Sequence, residues 1–274
     1  MYKMIVSDLD ETLLRADGSI SDSNIAAIKA ATARGIKFVP NTGRNYLTVQ
    51  PLLETLGLVN QPDEYVISYN GGAIVENAGN HVLATNGMPQ SEAQKVFDVM
   101  RAFPETDVHV YTLTNLYIYR LRADDQAYLK TRGVPFSALE TMDLGSLAEE
   151  TIIKVIAMNP SANVQTALFQ AVNAAFDGQI NCTYSSGIYV EANHYGVDKG
   201  TATIELGDRL GISPAEIIAI GDNANDLPML RRVGMPVAVA NGIPEVQAVA
   251  KLVTTADYES GVAKAIEKLV LSDN

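Results

Sequence analysis

Short apolar runs that end in acidic or glycine-containing turns constrain this chain more than any other feature. Met4-Ile5-Val6 leads directly into Asp8-Leu9-Asp10-Glu11-Thr12. Ile36-Lys37-Phe38-Val39 leads into Pro40-Asn41-Thr42-Gly43-Arg44, and Ile217-Ile218-Ala219-Ile220 into Gly221-Asp222-Asn223-Ala224-Asn225-Asp226. Each run reads as a short buried strand. Between the first two lies a helix, with Ser21 as N-cap, Ile25 and Ile28 on its apolar face and Gly35 as its stop. A second helix carries Val49, Leu52, Leu53 and Leu56, and Tyr65 to Tyr69 is the next strand, turning at Asn70-Gly71-Gly72 into a hairpin. Such βα alternation predicts an α/β fold with a Rossmann-like, doubly wound parallel sheet. Ligands in such sheets bind outside the carboxyl ends of the strands. The polar turns fall at that edge.

From about Met88 the texture changes. Ser91 and Gln94 suggest a capping box for a helix bearing Val96, Phe97, Met100 and Phe103. Strand-like segments follow at Val108–Thr112, Leu116–Leu121 and Ile152–Met158, then a helix over about Asn163–Phe176 and strands at Ile180–Tyr184 and Ile188–Glu191. This order reads as an inserted α+β cap domain with an antiparallel sheet. After Gly196 the βα alternation returns. The expected organisation is a core of residues 1–83 and 196–274 interrupted by a cap of residues 84–195, with the two crossings as a hinge.

Asp8 and Asp10 lie more than two hundred positions from Asp222 and Asp226, yet the fold predicts one shared sheet edge. A cluster of carboxylates is costly without a cation. Few hard oxygen ligands favour Mg²⁺, which retains waters and binds through one or two carboxylates and a substrate phosphate. No EF-hand spacing points to Ca²⁺, and Cys182 with His81, His109 and His194 makes no zinc-spaced set. Thr42-Gly43 suits phosphate contact through a hydroxyl and a close backbone N–H, although Thr-Gly is also an ordinary turn. Asp198-Lys199-Gly200 opens a helix. A lysine is disfavoured electrostatically at that end, so its place there is easier to understand if it meets an anion.

In order, the four motifs are Asp-x-Asp-x-Thr, Thr-Gly-Arg, Lys-Gly and Gly-Asp-x-x-Asn-Asp. Together they resemble the pattern of the haloacid dehalogenase-like phosphatases. The chain is similar to their Cof-type branch throughout, including Ser68-Tyr69-Asn70-Gly71-Gly72 and Glu191 followed by Gly196-Val197-Asp198-Lys199-Gly200. The resemblance implies a nucleophilic Asp8, an acid/base Asp10, and Mg²⁺ on Asp8, the backbone carbonyl of Asp10 and Asp222, with Asp226 orienting the metal shell or Lys199. It implies that Thr42, Lys199 and Asn225 hold the transferring phosphate, with Gly43, Arg44, Asn70 and Gly71 beside the substrate. It also implies hydrolysis of small phosphorylated metabolites, sugar phosphates foremost. A phosphosugar mutase of the same superfamily and a phospho-accepting signalling module are the competing readings. Two residues depart from the family pattern: Glu11, where Gly is usual, adds charge beside the site. Asn41, where Ala is usual, offers an amide near the phosphate.

In the cap, His109, Tyr117, Tyr119, Tyr184, Tyr189, Glu191 and His194 are candidates for lining a pocket, although half-buried strand aromatics and surface polar groups are the commoner fates. His81 reads as surface. A net charge of −12 argues against nucleic-acid or anionic-membrane partners, so attraction of a phosphate must be local. The single cysteine precludes an internal disulfide and suits a cytoplasmic setting. No apolar run approaches the length of a spanning helix.

Overall fold

The structure, a computed structural model, describes residues 1–131 and 134–272. In chain order the first segment contains β1 (Met4–Ser7), α1 (Asp22–Ala33), β2 (Lys37–Pro40), α2 (Gln50–Leu56), β3 (Tyr65–Ser68), β4 (Ala73–Glu76) and β5 (His81–Thr85). Next come α3 (Gln90–Arg101), β6 (Asp107–Thr112), β7 (Leu116–Tyr119), α4 (Ala123–Thr131), β8 (Ser137–Ala138), β9 (Ile152–Met158), α5 (Ala162–Ala175), β10 (Asn181–Ser185) and β11 (Tyr189–Asn193). The last segment holds α6 (Lys199–Leu210), β12 (Ile217–Gly221), α7 (Leu227–Leu230), β13 (Met235–Ala238), α8 (Pro244–Val249), β14 (Leu252–Val253) and α9 (Gly261–Ile266). The chain divides into two compact units, one of residues 1–84 with 198–274 and one of residues 85–197.

The first unit is the α/β core. Its parallel sheet has the order β14-β13-β12-β1-β2, and β1 is buried on both faces, as parallel strands covered by helices must be. Met4, Val6, Ile217 and Ala219 pack with Ala202 and Leu206 of α6 and Met229 and Leu230 of α7. Helices α1 and α9 pack together elsewhere in the same unit. Fully burying side chains of this kind stabilises by roughly 1.5–3 kcal/mol each. The antiparallel β3-β4-β5 sheet is joined to the end of β2 by a bridge between Asn41 and Ile67. Chain order reverses at β1: β2 lies on one side, and β12, β13 and β14 on the other. Asp8 and Asp222 leave the sheet at this reversal, where α/β sheets form their binding crevice.

The second unit is α+β. Its sheet has the order β10-β11-β9-β6-β7-β8, antiparallel except where β7 runs alongside β8. One face is apolar: Val108, Val110, Val155, Ala157, Val190 and Ala192 pack on Val96, Phe97 and Met100 of α3 and Leu168 and Val172 of α5.

Two local readings are corrected. The Ser91–Gln94 capping box does not form, because α3 starts at Gln90 after Pro89 and Ser91 lies inside the first turn. Gln94 instead turns to a neighbouring loop, accepting from Leu144 N at 2.7 Å and donating to Met142 O at 3.0 Å. Helix α4 has no counterpart in the sequence reading. It buries Asp125 and Leu129, so it lacks the apolar stripe by which an amphipathic helix is recognised. Among the described residues no helix is long and apolar enough to cross a membrane.

Candidate active site

The parallel register brings the polar turns together. Ser7 lies opposite Ile220 on one side and Pro40 on the other. Asp8 N donates to Ile220 O at 3.0 Å, and Asn41 N donates to Ser7 O at 2.8 Å. Asp8 is therefore flanked by the ends of β12 and β2. The turn after it is anchored by Leu9, Leu13 and Leu14, all buried, which leaves Asp10 and Glu11 exposed.

Lys199 opens α6 and is wholly buried. Its Nζ donates to Asp8 Oδ1 at 2.5 Å and to Asp226 Oδ1 at 2.7 Å. Burial disfavours the ammonium, but the two carboxylates outweigh it and hold Lys199 above its ordinary value. The other oxygen of Asp226 accepts from Asp222 N at 2.9 Å and Asn223 N at 3.0 Å. Both oxygens of Asp226 are thus engaged, one on the lysine and one on the loop that presents Asp222.

Asp222 is also held from the far end of the chain, since Thr12 Oγ1 donates to its Oδ1 at 2.5 Å. Thr12 thus acts beyond its own turn. Burial, followed by the neighbouring Asp226, pushes the Asp222 carboxyl up to about 6. Burial likewise raises Asp8 well above the usual carboxylate range, with Lys199 opposing and Asp226 and Asp222 reinforcing. Asp8, Asp222 and Asp226 each offer an oxygen within 4.8 Å of the others. Raised carboxyls in a buried oxygen-only cluster mark a place short of positive charge. A hard divalent cation fits such a donor set.

The remaining predicted site residues gather at the same strand ends, with different partners. Arg44 makes a two-pronged ion pair with Asp10, its Nε 2.9 Å from Asp10 Oδ2 and its Nη2 on Oδ1. The Asp10 side chain therefore lies outside the acidic cluster. Thr42 is buried, its hydroxyl accepting from Arg44 N at 3.1 Å. Asn70 adopts a left-handed φ of 57°, and Asn225 Nδ2 donates to its Oδ1 at 3.4 Å. Gly43 packs against Asn70, to which a Cβ on Gly43 would come within 3.2 Å. Gly71 has φ +101°, and a Cβ there would sit 2.4 Å from Asp198 O, so this glycine is what lets β3–β4 approach the start of α6.

Asn41 is corrected. Its side chain is buried and its amide is spent within the core, with Nδ2 donating to Lys199 O at 3.0 Å and Thr203 Oγ1 at 3.1 Å. It braces the first turn of α6. The left-handed φ of 62° at Glu11 explains why glycine suits that position. Here an acidic residue occupies it.

The cap candidates divide. Tyr184 and His194 are substantially exposed, stacked on Phe169 and paired with Glu92 at 2.7 Å respectively. Tyr117 donates to Glu150 at 2.6 Å, and Tyr119 packs edge-on to Phe97. His109, Tyr189 and Glu191 are buried and serve internal contacts: Tyr189 with Asp125, and Glu191 with Lys154 at 2.7 Å. They thus take the commoner fates of strand aromatics and polar groups, with partners inside the cap or at its surface. His81 is exposed, as read.

The family model of haloacid dehalogenase-like hydrolases matches residues 5–266. The chain belongs to the haloacid dehalogenase-like hydrolases. Within them it is a phosphatase. The protein YxeH of Bacillus subtilis (strain 168) is 31% identical over 99% of this chain and 100% of its own length. The 5-amino-6-(5-phospho-D-ribitylamino)uracil phosphatase YcsE of the same organism is 27% identical over 98% of this chain and 96% of its own. The crystal structure of a haloacid dehalogenase-like hydrolase from Bacteroides thetaiotaomicron superimposes with a TM-score of 0.84 at 27% identity, covering 98% of this chain and 100% of that one. Haloacid dehalogenase-like architecture thus accounts for both units of this phosphatase.

Proposed function

We propose that this phosphatase is Mg²⁺-dependent and hydrolyses small phosphorylated metabolites, sugar phosphates foremost, through an aspartyl-phosphate on Asp8. The observation that carries this reading is the buried Lys199–Asp8 contact beside Asp222 at the β1 reversal. It gathers a nucleophile, an anion-holding cation and a metal-fitting oxygen set at one point.

Asp8 attacks phosphorus, held in place by Lys199, while Lys199, Thr42, Gly43 and Asn225 hold the phosphoryl oxygens. Asp8, Asp222 and the Asp10 carbonyl would hold Mg²⁺, whose positive charge would offset the repulsion between carboxylate and phosphate. Asp226 acts from behind, keeping Lys199 and the Asp222 loop in position. As the P–O bond to the leaving group breaks, Asp10, turned from Arg44 and protonated, gives its proton to the departing oxygen. Asp10, now a carboxylate, takes a proton from the water that attacks the aspartyl-phosphate. Inorganic phosphate leaves and Asp8 is restored.

Arg44, Asn70 and Gly71 border the leaving-group side. The cap supplies the rest of the selection, with residues 84–195 closing as a lid about hinges near 83–88 and 190–196. The phosphorylated ribityl chain in the name of the relative YcsE supports a phosphorylated polyol or sugar as substrate. The single cysteine supports a cytoplasmic setting.

Phosphate release from a panel of phosphorylated metabolites, with Mg²⁺ and then with EDTA, tests the reading. Chelation should abolish release and added Mg²⁺ should restore it, with sugar phosphates the fastest substrates. Undiminished turnover without metal overturns the metal assignment. A panel led by another phosphate class overturns the substrate assignment.

A further inference from the structure

A second cluster of metal-ligating side chains lies in the cap, on the face of its sheet opposite the α3–α5 core. Asp107 and His109 are two residues apart on β6, so their side chains leave the same face. Asp125 is in the first turn of α4. All three are fully buried, and each offers a ligand atom within 4.8 Å of the others. His109 Nε2 lies 2.6 Å from Asp125 Oδ2, and Tyr189 donates its hydroxyl to Asp125 Oδ1 at 2.7 Å. Two carboxylates without surface and so close together need a proton or the positive charge of a cation between them.

The nearest cation supplies little of it. The Arg122 guanidinium is 3.9 Å from Asp107 Oδ1 and is engaged with Asp124 at 3.0 Å. Asp107 Oδ2 accepts from Arg122 N at 2.5 Å, but Asp107 Oδ1 and His109 Nδ1 are buried with no hydrogen-bond partner. A buried polar atom left in that state costs about 1–3 kcal/mol, and an ion is one of the standard reasons for finding one.

We infer that Asp107, His109 and Asp125 form a second cation site, distinct from the Asp8–Asp222 cluster, that takes a divalent transition-metal ion such as Zn²⁺ or Co²⁺. One imidazole with two carboxylates is a donor set for such ions, whereas the oxygen-only core cluster suits Mg²⁺. Tyr189 plays the orienting role that hydrogen-bonded partners of ligating carboxylates play elsewhere. The ion ties Asp125 of α4, one turn before the apolar contact of Leu129 with Leu116 and Ile118, to the cap sheet. This role is independent of the phosphatase chemistry, and so is its test.

The full-length protein is stripped with chelator, saturated with Mg²⁺ to fill the core cluster, and titrated with Co²⁺ or Zn²⁺. One transition-metal ion per chain should survive gel filtration. The Co²⁺ form should show a hyperfine-shifted imidazole resonance, which an oxygen-only site cannot produce. Zn²⁺ should raise the thermal midpoint in excess Mg²⁺. Asp107→Asn, which keeps shape and burial, should abolish retention, and Tyr189→Phe should weaken it by about ten- to a hundredfold. Asp222→Asn should leave retention intact. No retained ion in the wild-type protein overturns the inference. Retention that Asp222→Asn removes, or no shifted imidazole, overturns it as well, and that result needs no cap variant to fold.

Discussion

Thr12 Oγ1 donates to Asp222 Oδ1 across 2.5 Å and a sequence separation of 210 residues, so the turn after β1 holds the carboxylate at the end of β12. This fixes the orientation of a group proposed to bind Mg²⁺. Thr12→Val keeps the shape and removes the donor. It should weaken Mg²⁺ half-saturation by about ten- to a hundredfold, with kcat at saturating Mg²⁺ much less affected. An unchanged Mg²⁺ dependence of phosphate release would show that Thr12 only shapes its own turn.

The raised Asp222 carboxyl gives a pH dependence with a definite sign. Its folded value of about 6 lies above the ordinary 3.8, so without metal the group favours the protonated folded state. That contribution is complete below the unfolded value and is lost as pH rises through about 6. Mg²⁺ needs the ionised form, so its binding runs the opposite way. The rise in thermal midpoint caused by Mg²⁺ should be large at pH 7.5 and small at pH 5. Equal shifts at both pH values would remove Asp222 from the metal site.

Asp8→Asn should lower turnover by at least about four orders of magnitude, the scale seen when a nucleophile is removed. No acid-stable phosphoprotein should be trapped on rapid quenching. Asp10→Asn should still be phosphorylated by aryl phosphates with good leaving groups, which need little protonation. Trapped phosphate on Asp8→Asn would place the nucleophile elsewhere.

Glu11 holds a left-handed φ of 62°, which costs an ordinary residue about 1–2 kcal/mol. Glycine avoids that cost but loses more chain entropy on folding. Glu11→Gly should therefore stabilise by about 0.5–1 kcal/mol net, measured by urea denaturation. A destabilised variant would show that the hydrogen bond from the Asn241 side-chain amide to Glu11 O depends on the acidic side chain.

Residues 85–197 form a compact unit with its own apolar core. Replacing them by a short Gly/Ser linker should leave a folded core that binds Mg²⁺ and cleaves a small activated phosphate. It should discriminate poorly among sugar phosphates. Unaltered substrate ranking would locate selectivity in Arg44, Asn70 and the core loops.

The core was legible because its signals are local: runs such as Met4–Val6 and Ile217–Ile220 followed at once by their acids, and caps such as Ser21, whose hydroxyl accepts from Asn24 N. The motif spacing was equally readable, since Asp8, Thr42, Lys199 and Asp222 all stand at strand or helix ends that one parallel sheet must gather. Helix α4 was not legible, because its buried face carries Asp125 where a periodic pattern requires an apolar residue. The partners of the cap polar residues were not legible for a related reason. Alternation along β6 puts Asp107 and His109 on one face, but does not say whether that face meets solvent or other side chains.

What the residues determined by themselves is the order of elements, the strand-end acids and the reaction class those acids permit. Tertiary structure decided the partners: Thr12 with Asp222, Asn41 with the start of α6, Arg44 with Asp10, and His109 with Asp125. Strand and turn propensities act over a few neighbouring residues, whereas a hydrogen bond between side chains two hundred positions apart depends on register and crossing geometry. Those are set only when the whole sheet is packed.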